Sequence, residues 1–512
     1  MAMTDDVIKR IVIVGGGTAG WMTAAALARA IRTPDLSITL IESDEIGSVG
    51  VGEATLPAIR EFNALLGIDE RDLLRACHGT FKLAIQFRDW GRVGARYMHP
   101  FSHYGGAFNN KLFPHLWVKY AQLMRARGMA PSIDDYNLGS LAAVEGRFSA
   151  AASGADKAIG GLDFAYHFDA ILYANYLRRY AEARRVTRIE GEVVSAALDG
   201  ASGQIQSVTL KSGQIVEGDV FIDCSGFRGV LIEQTLQVGY EDWSHWLPCD
   251  RAIAVASESL GPPAPYTRST AERAGWVWRI PLQHRIGNGH VYCSAFMNDD
   301  DAQAVLLDHV DGPPISAIRK LRFVTGRRRR AWERNCLAIG LAAGFLEPLE
   351  STSIHLIQTS ILRLLSLFPG RQAAPREVEE FNRQTTEEYE NARDFLIAHY
   401  CLNTREDSPF WRHCAAMPTP DRVGQYIELF SERGRLPIRQ EHTFATHSWT
   451  AVLLGQGVTP RGADPLLAAA PDAEIEQQMA VIHNGVATAV SALPSHQAFI
   501  DRYCSSRMGM AC

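Results

Sequence analysis

The chain lacks the marks of several protein classes. No apolar run is long enough to span a bilayer, and Met1-Ala2-Met3-Thr4-Asp5-Asp6 puts no basic region ahead of an apolar core, so neither a membrane protein nor a secretory leader is expected. There is no excess of positive charge: the net charge of -6 argues against broad binding to nucleic acid or anionic membranes. The basic run Arg327 to Arg330 reads as a solvated face within an acidic chain. The nine cysteines are scattered, odd in number and without CxxC spacing, which suits a reduced cytoplasm; it leaves a local metal site or a reactive thiol open, but no zinc or other metal is expected. No internal repeat or low-complexity tract stands out. What is present is ordinary in bulk, with 46% hydrophobic and 21% charged residues over 512 positions. That length has room for more than one core, or for one large fold with insertions.

The pattern that organises the chain is Ile11-Val12-Ile13-Val14-Gly15-Gly16-Gly17-Thr18-Ala19-Gly20-Trp21, closed by Ile38-Thr39-Leu40-Ile41-Glu42. Four β-branched residues predict a buried parallel strand, Gly15, Gly17 and Gly20 a tight turn with close approach to a pyrophosphate, and Trp21 to Ile31 an apolar helix. Glu42 falls about 20 residues after the last glycine, where a carboxylate takes up ribose hydroxyls. The chain therefore reads as opening with a nucleotide-binding βαβ unit; the plainer alternative is a glycine-rich turn between core elements. Gly47 to Pro57 then reads as a glycine-rich strap over the cofactor, or as a surface connection.

In Thr80 to Phe87, Lys82 lies among Phe81, Leu83, Ile85 and Phe87. Alternation favours Lys82, Ala84 and Gln86 on a solvent face, since a buried lysine without a role or partner would cost free energy. The irregular segment Tyr97 to Asn110, with His99, Phe101, His103 and Tyr104, is either a pocket lining or a packed loop. Phe164 to Asp169 leads into a helix to Ala183. Hairpin-like strands follow, turning near Ser202-Gly203 and Ser212-Gly213, and Phe221-Ile222-Asp223-Cys224-Ser225-Gly226 reads as a return to the nucleotide sheet. Such a late return is typical of flavoproteins, by analogy between folds. An extended connection from Ser257 to Arg273 delivers Trp276-Val277-Trp278-Arg279-Ile280-Pro281. Trp276, Trp278 and Ile280 share one strand face, as an aromatic wall or as packing for a helix, and Gly287-Asn288-Gly289 reads as the following turn.

Asn335 to Ile354 carries the densest signal. A strand to Ile339 gives way to small residues, and a helix is expected from near Ser351, with the stripe Ile354, Ile357, Ile361, Leu364, Leu365 and Phe368 stopped by Pro369-Gly370. Its start offers free amides to an anion at Thr352 and Ser353; capping by Ser351 or Thr352 is the alternative. A long helix from about Arg376 to Tyr400 and a loop from Arg405 to Arg412 follow.

Gly15-x-Gly17-x-x-Gly20, Trp276-x-Trp278-x-Ile280-Pro281, Phe81-Lys82-Leu83 and Pro348-Leu349-Glu350-Ser351-Thr352 together resemble the flavin-dependent halogenases of the tryptophan halogenase type. The resemblance runs from Ile11 to about Trp411, more loosely through Trp449. It implies an α/β fold of the FAD-binding Rossmann type, like single-component flavin monooxygenases, with an antiparallel insertion and a mainly helical C-terminal region. The expected division is an FAD core over 1–355 and a substrate-capping region over 356–512.

The resemblance also implies the chemistry. Reduced FAD, delivered by a separate flavin reductase, activates oxygen; chloride or bromide becomes hypohalous acid, which crosses a tunnel to a small indole-like aromatic. Lys82 matches the essential lysine, polarising hypohalous acid or forming a haloamine, and Glu350 matches the glutamate beside it, with Ser351 in the same catalytic motif. An ammonium and a carboxylate far apart in the chain are thus expected to converge on one chamber. Thr352 and Ser353 match the halide site, where the family usually has glycine at the second position. Cofactor contacts are implied at Gly15, Gly17, Thr18, Ala19, Gly20, Glu42, Gly52, Glu53, Ala54, Val194, Asp223, Gly226, Ile339, Gly340 and Leu349. Substrate contacts are implied at His99, Phe101, Pro348 and Trp449. The box Trp276, Trp278, Ile280, Pro281 is thought to keep substrate from the flavin. Gly340-Leu341, where monooxygenases usually carry Gly-Asp, departs in the halogenase direction. His442, Phe444, His447 and Trp449 form no paired-tyrosine clamp for an amino-acid head group, so indole is at least as good a candidate as tryptophan. A cytoplasmic monomer or homodimer is expected. The competing readings are a single-component FAD monooxygenase, which would oxidise NAD(P)H itself, and a flavin-binding protein without turnover.

Overall fold

The computed structural model describes residues 7–33, 35–45, 53–105, 107–108, 111–152, 159–437 and 443–506. Gly52, most of the expected strap and His442 lie outside the described residues. The chain forms two compact units, each assembled from three stretches: residues 1–77, 168–244 and 323–390 in the first, and 78–167, 245–322 and 391–512 in the second.

The first unit is built on a six-stranded sheet. Arg10–Val14 pairs in parallel with Ser37–Glu42 on one side and Val220–Asp223 on the other, and Cys336–Ala338 pairs beyond. Val186–Glu190 and the antiparallel edge Trp332–Glu333 complete it. Ile11, Val12, Ile13 and Val14 are all buried, because helices cover both faces of a parallel sheet and leave no polar side for alternation. The expected late return at Phe221 is the strand next to the first one. Helix Thr18–Ala30 packs against helices Ala170–Glu182 and Ser353–Ser366. The hairpin strands Val193–Leu198, Ile205–Leu210 and Ile215–Glu217 form a separate antiparallel sheet.

The second unit centres on a seven-stranded, mostly antiparallel sheet. Its strands include Ala84–Arg88, Arg96–Pro100, Arg251–Ser257, Tyr266–Glu272, Gly275–Pro281 and Ile286–Tyr292. Helices supply the rest, among them Asp421–Arg433, Thr446–Gly455 and Asp472–Ser491. No helix among the described residues is long and apolar enough to cross a membrane.

Several sequence expectations are overturned here. Lys82, Ala84 and Gln86 do not face solvent: all three are buried. Thr80–Lys82 pairs with Ala165–Phe168, while Ala84–Arg88 is an interior strand, so alternation has no wet side to report. Gly287-Asn288-Gly289 is no turn but lies within the strand Ile286–Tyr292. A Cβ on Gly289 would stand 2.0 Å from Cζ2 of the cross-strand Trp278, so this glycine makes room for an indole. The connection from Ser257 to Arg273 contains the strand Tyr266–Glu272. Half of the basic run is not solvated: Arg327 pairs with Glu241 at 2.8 Å, and Arg328 with Glu233 at 2.5 Å, both buried in a strand. The loop expected at Arg405 to Arg412 becomes a helix at Pro409, capped by Ser408.

Candidate active site

In the first unit, three segments far apart in the chain meet at the carboxyl ends of adjacent strands, where Val14, Asp223 and Ala338 stand in register. Gly15 has φ +110°, and a Cβ there would lie 2.3 Å from the Cys224 carbonyl; on Gly20 it would lie 1.9 Å from the Gly15 carbonyl. Gly17 differs, with nothing within 4 Å of its Cβ position. It is the N-cap of helix Thr18–Ala30, which has no side-chain cap and no acid in its first turn. Open space beside uncapped amides is what a pyrophosphate requires. Gly340, with φ +71°, turns against Ala19, whose Cβ would be 2.8 Å from one on the glycine. The Ile339 amide donates to the Asp223 carbonyl.

Glu42 ends its strand with its carboxylate over the loop, Oε2 being 1.6 Å from where a Gly16 Cβ would project. It accepts from Trp21 Nε1 at 3.3 Å and Arg188 Nε at 2.5 Å. Asp223 is fully buried and accepts from the amides of Leu231, Ile232 and Ser225 and the Ser225 hydroxyl. Its carboxylate therefore anchors the turn that carries Gly226, beside whose Cβ position there is again open space. Glu53 is pushed up to about 7 by burial and by Asp169. Ala54 and Leu349 are buried, and Val194 is exposed. These backbone cradles fit a dinucleotide flavin.

The Glu-Ser-Thr segment is a sharp turn. Pro348–Glu350 forms a short 3-10 helix, Ser351 takes φ +61°, and the helix runs over Ser353–Ser366. It starts two residues later than expected, with Thr352 at its N-cap. The N-cap Thr352 makes no capping bond, and its Oγ1 is buried without a hydrogen-bond partner. A helix start with free amides, no first-turn acid and a spare buried hydroxyl can hold an anion. Glu350, immediately before it, is completely buried. A left-handed serine at such a place is the kind of backbone strain found at functional sites.

In the second unit, Lys82 is completely buried, with Nζ 4.8 Å from the centre of the Phe101 ring. Its neighbours are arranged to remain neutral. Thr80 Oγ1 donates to the Pro281 carbonyl at 2.7 Å, so it accepts from His167 Nδ1 at 3.1 Å; His167 Nε2 then accepts from Thr267 Oγ1 at 2.9 Å. Burial, then Lys82 and His496, hold His167 well below the ordinary histidine range. His496 accepts from the Phe81 amide and donates to the Pro263 carbonyl, and burial lowers it to about 4.

Beyond Phe101 lies an aromatic cluster. His99 meets Phe395 edge-on at 5.5 Å, Phe395 stacks on Phe444 at 4.0 Å, and Trp449 meets Phe395 at 5.1 Å. His103 and His447 meet edge-on with ring centres 4.2 Å apart, and burial, then His103 and His99, lower His447 to about 3. Phe395 was missed in sequence because nothing distinguishes one apolar position of a long helix from another. Trp276, Trp278 and Ile280 share their buried face as expected, the two indoles 6.0 Å apart. The Thr80 to Pro281 bond ties this box to the lysine strand. Glu350, Pro348, Thr352 and Ser353 belong to the first unit, and Lys82, the aromatic cluster and the tryptophan box to the second.

Comparison with known proteins decides the family. The family model described as tryptophan halogenase matches residues 10–472. The chain belongs to the tryptophan halogenase family. Tryptophan 6-halogenase SttH of Streptomyces toxytricini is 36% identical, over 95% of this chain and 96% of that one. The solved structure of Xcc4156, a flavin-dependent halogenase from Xanthomonas campestris, superposes with a TM-score of 0.93 at 47% identity, covering 98% of this chain and 99% of that one. BrvH, a flavin-dependent halogenase from Brevundimonas sp. BAL3, gives 0.92 at 45%, covering 97% and 99%. The α/β fold and the flavin-dependent halogenase reading stand on these matches.

Proposed function

We propose that this halogenase works as the second component of a two-component system, taking reduced FAD from a separate flavin reductase and halogenating an indole-like aromatic with oxygen and chloride or bromide. FAD would be held by the Gly15–Gly20 loop, Glu42, Glu53, Ala54, Val194, the turn after Asp223 with Gly226, Ile339, Gly340 and Leu349. When bound in reduced form, it would supply two electrons that bring oxygen to the peroxide level, while the halide gives up two more to become hypohalous acid, leaving water and oxidised flavin. The amides at Thr352 and Ser353 hold the halide. A side chain in place of glycine at 353 leaves those amides unchanged, so the family's usual glycine is not required for binding.

Lys82 polarises the hypohalous oxygen as an ammonium. Its complete burial beside Phe101 supports the reading, since it holds an amine away from bulk water where a polar reactant would meet it. His167 and His496, kept neutral, leave it as the local cation. Glu350 takes the ring proton of the arenium intermediate once the halogen has been transferred. His99, Phe101 and Trp449 stack the arene, and the Trp276-x-Trp278 box bars it from the flavin.

Indole itself is favoured over free tryptophan. His447 is neutral at physiological pH and offers no charge to a substrate carboxylate, and residues 441–457 contain no tyrosine. The deciding experiment is mass spectrometry of product from indole and tryptophan in competition, with flavin reductase, oxygen and bromide. Bromoindole is expected to dominate; bromotryptophan as the main product would reverse the substrate assignment, and oxygenated product without bromine would favour a monooxygenase.

A further inference from the structure

The acid at the end of the second strand is the centre of a cluster that the reading above leaves unused. Glu42 Oε1 accepts from Arg188 Nε at 2.5 Å and lies 3.5 Å from Arg178 Nη1; Oε2 accepts from Trp21 Nε1 at 3.3 Å. The two arginines are held very differently. Arg188 is mostly buried and pinned through Nη2 by Asp44 at 2.7 Å and Glu190 at 2.5 Å. Arg178 is more exposed, contacts Glu42 at the limit of a hydrogen bond, lies over the Trp21 ring, and has its shorter bond, 3.0 Å, to Glu182.

We propose that Arg188 and Trp21 are positioning residues that lock the Glu42 carboxylate for the two ribose hydroxyls of the adenosine end of the cofactor, and that Arg178 is a displaceable plug on the same acid. The inference rests on the reading that this cleft takes FAD. A carboxylate has about four acceptor directions. Arg188, Trp21 and Arg178 occupy three, and a ribose diol needs two. One partner must therefore leave, and the partner with the longest bond and an alternative acid is Arg178. Arg188 cannot follow the same route, because Asp44 and Glu190 hold it on the far side. Fixed donors cost no reordering when the ligand arrives, which is the advantage of preorganisation. The Gly16 backbone completes the arrangement, since any side chain there would collide with the carboxylate.

The two arginines thus predict opposite results. The dissociation constant of oxidised FAD, measured by flavin fluorescence quenching on the full chain, is expected to rise about tenfold or more in Arg188→Gln. Arg188→Lys should recover part of it, and Arg178→Ala should leave it unchanged or lower it. FMN, which lacks the adenosine, should bind wild type and Arg188→Gln alike. In turnover with indole and bromide, Arg188→Gln should raise the KM for reduced FAD and leave kcat intact, a split that general misfolding would not produce. Wild-type affinity in Arg188→Gln, equal losses for FAD and FMN, or an Arg178→Ala loss as large as that of Arg188→Gln would each overturn the proposal. A wild-type chain that binds no FAD would overturn the cofactor reading beneath it as well.

Discussion

The two units of this halogenase build their functional surfaces from different material. The first uses backbone: first-turn amides that the N-caps Gly17 and Thr352 do not cap with their side chains, and glycines whose missing side chains leave space or permit close packing. The second uses side chains: a buried lysine, imidazoles held neutral chiefly by burial, and rings packed at 4 to 6 Å. Backbone sites bind anionic and nucleotide groups whose shape is common to many proteins. Side-chain sites are where a reaction acquires its selectivity, because one atom can be placed without changing the chain path.

The largest effect that would break this contrast is expected at Lys82. Lys82→Ala should remove halogenated product by three orders of magnitude or more, on the scale of losing an essential catalytic group. Flavin affinity and hypohalous acid release, read by trapping with a thiol or a chlorination dye, should persist, since they rest on the first unit. Near-normal bromination would remove the lysine from the mechanism. Glu350→Gln should cost about two to four orders. If the two residues serve one step, the double variant will be little worse than Lys82→Ala alone; additive losses would assign them to separate steps.

A smaller effect sharpens the backbone half. Gly15→Ala meets both a positive φ and the Cys224 carbonyl, and should destabilise the fold by about 3 kcal/mol in urea unfolding. Gly17→Ala meets nothing, and should keep the wild-type midpoint while weakening FAD binding about tenfold, if the open space its Cβ enters takes the pyrophosphate as proposed. Equal stability losses would mean that Gly17 is only a turn residue.

The smallest expected effects are opposite pH dependences. His496 is lowered from 6.5 to about 4, so the unfolded chain binds the extra proton first, and the stability it contributes above pH 6.5 is lost as pH falls toward 4. Glu53 is raised from 4.5 to about 7, so the folded chain keeps its proton longer, and stability falls as pH rises from 4.5 to 7. Glu53→Gln should remove that alkaline-side loss, at most about 3 kcal/mol, from unfolding curves collected across this range. An unchanged pH profile in this variant would show that Glu53 titrates normally.

Much of the first unit could be read without a structure, because its signals are local. The run Ile11 to Gly20 and the acid at 42 report strand, turn and helix within one short stretch, and only glycine can occupy Gly15 and Gly20. The period-two spacing of Trp276, Trp278 and Ile280 likewise put them on one face. The second unit hid more. Alternation suggested a wet Lys82, and only the pairing of its strand with Ala165–Phe168 buries it. Gly289 looked like a turn because the ring that needs its missing Cβ comes from another strand. Arg327 and Arg328 looked solvated because Glu241 and Glu233 are nearly a hundred positions away.

Sequence alone determined the nucleotide loop and the tryptophan face, since these follow from steric freedom and spacing within a few residues; Lys82 and Glu350 stood out only through the resemblance of their motifs to the family's. Tertiary structure decided burial, protonation and partner: which lysine loses its water, which imidazoles remain neutral, and which arginine grips Glu42. Those properties depend on the dielectric and the donors around a group. Segments distant in the chain supply both.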